Sequence, residues 1–131
     1  MEALVLIEDP AVRDVLLTGL QNVPGIHAES PAGFPDVDRA RRRAYDAIFL
    51  DHDPNRGGSV ERLTRLREIA PKAEIVVLAE SRASKALTAE GTKLRIAAFL
   101  DTPLDVREFF RLAVQLRKRV DGTPRASAPR T

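Results

Sequence analysis

Short apolar runs rich in β-branched residues alternate along this chain with longer segments whose apolar positions recur every three to four residues. Five such runs stand out: Ala3 to Ile7, Ile26 to Glu29, Ala47 to Leu50, Glu74 to Ala79 and Ile96 to Leu100. Strand-length runs alternating with helical periodicity predict a parallel sheet wrapped by helices. Glu74 to Ala79 is apolar throughout after its first residue, as expected of a central strand covered on both faces. After the first run, Asp9 is placed to cap a helix with Pro10 in its first turn, and Val12, Val15, Leu16 and Leu20 share one face, up to the break at Pro24-Gly25. A second helix is expected from about residue 36 to 43. Ser59 opens a third, with Val60, Leu63, Leu66 and Ile69 turned inward, and a short fourth runs from about 82 to 90. The fifth begins after Asp105, with Glu108 three residues on as in a capping box, and with Val106, Phe109, Phe110, Ala113 and Val114 facing the core. The expected fold is α/β: a doubly wound sheet of five parallel strands with five flanking helices.

At 131 residues, 44% of them apolar, the chain is the size of one domain. We assign 1–120 to that domain and 121–131, a mixture of Gly, Pro, Ser, Ala and Arg, to a disordered basic tail. No run approaches the roughly 20 apolar residues of a spanning helix, and the Met-Glu-Ala start lacks a signal peptide's basic opening. A cytoplasmic protein with no membrane contact is the expectation. The absence of Cys removes disulfides and thiolate chemistry, and two isolated His residues, His27 and His52, make a poor metal cage. No Gly-rich phosphate-cradling loop is present.

The net charge of +2 is unevenly spread. From Arg117 onward the chain carries +4, leaving −2 on what precedes. That tail has no aromatic stacking platform, which argues against nucleic acid as the partner. The basic run Arg39 to Arg43 reads as a solvated helix face, and His52 as a solvent-facing loop residue.

In an open parallel sheet the carboxyl ends of adjacent central strands converge on one crevice. Glu8 and Asp9 follow the first strand, Asp51 closes the third, and Asp53 lies two residues on. Clustered carboxylates at such a place suit either a hard divalent cation or helix capping and loop solvation.

Four segments in this order resemble the receiver domain of two-component response regulators: Val5 to Arg13, Tyr45 to Asp51, Ile75 to Ala79, and Phe99 to Asp105. The resemblance covers about residues 3 to 119 and implies that the doubly wound five-stranded sheet with its five helices is flavodoxin-like in strand order. It implies that Asp51 occupies the phosphoacceptor position, that Glu8, Asp9, Asp51 and Asp53 surround a magnesium site, and that Phe99 stands at an aromatic switch position. It also implies signalling partners, a histidine kinase among them, and a homodimer through the fourth helix, fifth strand and fifth helix. Candidate residues there are Lys85, Lys93, Asp101, Arg107 and Arg111. The departures are specific. Ile7 fills the place of the first of two paired acids, which leaves Glu8 in the second unless Asp9 shifts to compensate. Ala79 replaces a phosphate-binding Ser or Thr, and Thr102 replaces the Lys before Pro103. In the loop, Pro54 comes one place early and Gly57-Gly58 is closer than the family spacing. Thr102 and Ser81 retain hydroxyls near the crevice. Losing an acid, a hydroxyl and an ammonium together weakens phosphoryl transfer and its readout. The reading is a stand-alone, non-enzymatic, phosphorylation-independent protein–protein module. The competing reading is a magnesium-dependent phosphoacceptor at Asp51, and a third is a nucleic-acid accessory bound through the tail.

Overall fold

The computed structural model of the chain describes residues 1–31, 38, 40, 44–52, 59–80 and 93–122. Five strands, β1 (Glu2–Leu6), β2 (His27–Glu29), β3 (Ala47–Asp51), β4 (Glu74–Ala79) and β5 (Ile96–Asp101), form one sheet. Its order is β2-β1-β3-β4-β5, and every pair is parallel. The described helices are α1 (Pro10–Gln21), α2 (Ser59–Ile69) and α3 (Val106–Gly122). They are the first, third and fifth of the helices read from the sequence. Most of the second and the whole of the fourth lie outside the described residues, as do Asp53, Ser81 and Lys85.

Side chains alternate across the sheet with a period of two, and both faces are apolar. Ala3, Val5, Ile7, Phe49, Val76 and Leu78 point to one layer, where Leu16 and Leu20 of α1 and Phe109, Ala113 and Leu116 of α3 cover them. Leu4, Leu6, Ile48, Leu50, Ile75 and Val77 point to the other, under Leu63 and Leu66 of α2. This two-sided burial explains why the central strands read as unbroken apolar runs.

Helix phase departs from the expected faces at four places. Val15 is 46% exposed, Val60 36%, Val106 60% and Phe110 47%. The buried stripe of α3 runs Phe109, Ala113, Leu116, a spacing of four then three, so Phe110 falls beside it and Leu116 joins it, while Val106 is the exposed first residue of the helix. The starts of α1 and α3 carry the expected aspartate caps. Asp9 Oδ1 accepts from the Ala11 and Val12 amides at 2.9 and 3.3 Å, and Asp105 Oδ1 does the same for Arg107 and Glu108 at 2.9 and 3.3 Å.

The turn after α1 depends on Gly25. Its φ is +87°, and a Cβ added there would lie 2.7 Å from Cζ of Arg117, whose guanidinium packs over the turn from α3. Gly25→Ala therefore combines left-handed strain with a collision and is expected to cost about 1–3 kcal/mol, read as a lower urea midpoint at unchanged slope.

Candidate functional site

The strand order reverses between β1 and β3, so their carboxyl ends border the crevice that a sheet of this winding leaves open. Asp51 is the last residue of β3, its side chain 22% exposed. Its carboxylate is addressed from two sides. Oδ2 accepts from the backbone N–H of Glu8, just beyond β1, at 3.3 Å. Oδ1 faces Nη1 of Arg62, the fourth residue of α2, at 4.0 Å.

The acids after β1 are not alike. Ile7 is buried in the core between the sheet, α1 and α3, so the first position beyond β1 is apolar and closed. Glu8 is exposed and meets Asp51 through its backbone amide. Asp9 is exposed and spends Oδ1 on the first turn of α1.

At the far side of the crevice, β4 and β5 end side by side. Ala79 is buried and pairs with Asp101, and the Thr102 amide donates to the Ala79 carbonyl at 3.1 Å. Ala79 offers no hydroxyl, and Thr102 no ammonium. Phe99 is partly buried and packs against the apolar layer under α2. His52 is half-buried rather than solvent-facing, because its N–H continues the ladder to the Leu78 carbonyl at 2.8 Å.

Among the described residues no group of three or more His, Cys, Asp or Glu side chains gathers closely enough to hold a metal ion. Asp51 next to a guanidinium, Asp9 turned to its helix and Ile7 in the core form a donor set that does not by itself fit a divalent cation. Asp53, the remaining residue of the expected magnesium set, lies outside the described residues. The sequence reading missed Arg62. Its signal was present, since an Arg one turn into a helix that starts beside the carboxyl end of β3 can reach back to that strand's last residue.

Neither a family model nor a curated protein matches the chain. Solved structures do. The response regulatory domain of protein MrkE from Klebsiella pneumoniae superposes with a TM-score of 0.76 at 16% identity, over 94% of this chain and 100% of that one. The receiver domain of Francisella response regulator 1452 gives 0.70 at 20% identity, over 91% and 98%. The beryllofluoride-activated receiver domain of DrrB gives 0.69 at 12% identity, over 90% and 97%.

The chain has the receiver fold. Its five parallel strands and the crevice at Asp51 are thus the flavodoxin-like architecture that the resemblance implies. At these identities the likeness extends to the course of the backbone, and the chemistry of this receiver fold has to be argued from its own side chains. No described helix is long and apolar enough to cross a membrane.

Proposed function

We propose that this chain is a receiver-like signalling module that works by protein–protein contact, without phosphorylation of Asp51. The observation that carries the reading is the far wall of the crevice. The end of β4 presents Ala79 and the residue after β5 is Thr102, so the first place lacks the hydroxyl and the second the ammonium that would grip a phosphoryl group. A charge-assisted contact of that kind is worth roughly 1.5–3 kcal/mol, and its loss removes both the hold on the adduct and the pull that would relay its presence. Ile7 in the core adds to this, since it withdraws one carboxylate from the cation side.

Output then passes through a surface. Val106 and Phe110 stand exposed on α3 beside the exposed cations Arg107 and Arg111, with Asp101 exposed at the end of β5 and Lys93 exposed just before that strand. Apolar centres rimmed by mixed charge suit a second copy of this chain or a protein target. The second reading, a magnesium-dependent phosphoacceptor served by a histidine kinase, draws support from the position and partial exposure of Asp51. Incubation of the full chain with magnesium and acetyl phosphate, followed by intact-mass measurement, separates the two. The module reading expects no phosphoryl adduct; a stoichiometric adduct absent from Asp51→Asn overturns it.

A further inference from the structure

We infer that Arg62 is the resident counter-charge of Asp51 and makes the crevice discriminate against divalent cations. This rests on the module reading above and extends it from a missing grip on phosphate to an obstruction of the metal side.

A carboxylate at the end of a central strand attracts a hard cation only if its oxygens are free to ligate and the surrounding potential is negative. Both conditions are altered here. The Arg62 guanidinium lies 4.0 Å from Oδ1, with 29% of the Arg62 side chain exposed, so it stands within the site rather than out in solvent. Oδ2 is engaged by the Glu8 amide at 3.3 Å. A divalent ion approaching Oδ1 meets a fixed positive charge and must displace it.

Two of the neighbouring positions do not restore the balance. Asp9 is held to the first turn of α1 through Oδ1, where the positive end of that helix offsets its charge. The position before Glu8 is the buried Ile7. Arg62 also links α2 to β3 through charge, which gives this contact a positional as well as an electrostatic effect.

The test is a magnesium titration of the full chain at constant ionic strength, read from the backbone amide shifts of Glu8 and His52. Arg62→Gln is expected to bind magnesium at least about tenfold more tightly than the unaltered chain, equivalent to about 1.4 kcal/mol. Arg62→Lys, which keeps the charge, should stay near the unaltered chain. Adding Asp51→Asn to Arg62→Gln should abolish the gain. An unchanged unfolding midpoint for Arg62→Gln, with dispersed amide resonances, establishes that the fold is intact; if that variant fails to fold, Arg62→Met carries the same test. Equal affinity in Arg62→Gln and the unaltered chain overturns the inference, as does a gain that survives Asp51→Asn. The two proposals fail differently. A beryllofluoride adduct on the unaltered chain sinks the module reading, whereas no adduct there together with no gain in Arg62→Gln sinks only the role of Arg62.

Discussion

Phe109→Ala is expected to destabilise the chain by about 3–5 kcal/mol, the range for removing a large buried aromatic side chain. Phe109 is 1% exposed and stands edge-on to Phe49, with ring centroids 6.1 Å apart and planes at 79°. It joins three elements: α3, which carries it, the centre of β3, and α1, where a Cβ on Gly19 would lie 2.5 Å from one of its ring carbons. Removing the ring forfeits the transfer energy, the aromatic pair and the contact with α1, and it leaves a cavity that a rigid sheet cannot close. Because a domain's whole stability is about 5–15 kcal/mol, the loss should appear as a large fall in the urea midpoint. Gly19→Ala supplies a second reading of the same contact. It should be unfavourable beside Phe109 and less so, or favourable, beside Ala at 109, a coupling of about 0.5–3 kcal/mol in a double-mutant cycle. A cost below about 1 kcal/mol for Phe109→Ala would mean that α3 is not docked through this ring.

Arg67→Ala should cost about 2–4 kcal/mol for a different reason, the loss of charge-assisted hydrogen bonds to backbone carbonyls. From the end of α2, Nε donates to the Leu94 carbonyl at 2.9 Å. Nη1 donates to Ala70, Pro71 and Ala73 at 3.1, 3.2 and 2.8 Å, and Nη2 to Arg95 at 3.0 Å. One guanidinium thus closes the carboxyl end of α2 and ties it to the turn that enters β5, where Arg95 adopts a positive φ of 57°. Burial and then the neighbouring Arg95 lower the Arg67 pKa, while Glu74 acts in the other direction. Arg67→Lys keeps the charge but not the planar fork, so it should recover less than half of the loss. Urea denaturation measures both variants. In Arg67→Ala, amide hydrogen exchange should rise first across Leu94 to Ile96, because the Leu94 and Arg95 carbonyls lose their donor and the entry to β5 loosens. Uniformly unchanged exchange there would contradict the assigned role.

The strands were legible because both faces of the sheet are covered, which turns each central strand into a short apolar run with nothing helical about its spacing. The start of α1 was legible for a local reason, since Asp9 before Pro10 satisfies amides only two and three residues away. Phe110 was misplaced because an apolar residue one position off the stripe leaves a helix's sequence pattern almost unchanged, and Val106 because it opens the helix, in phase with Phe109 yet exposed. The acidic crevice was legible as a set of residue types at strand ends. Its electrostatics were legible only in part, because the place of Arg62 one turn into the helix after β3 is a sequence signal, while the geometry of the connection that lets it reach Asp51 is not. The same holds for Arg67, whose partners include carbonyls 27 and 28 residues away.

The central claim is that the crevice at Asp51 no longer grips a phosphoryl group. Its most direct measurement is the backbone amide spectrum of the unaltered full chain with magnesium, before and after addition of beryllofluoride, a mimic of the aspartyl phosphate. The account predicts no Asp51-dependent change. Shifts that spread from Asp51 to Ala79 and Thr102 and vanish in Asp51→Asn would contradict it.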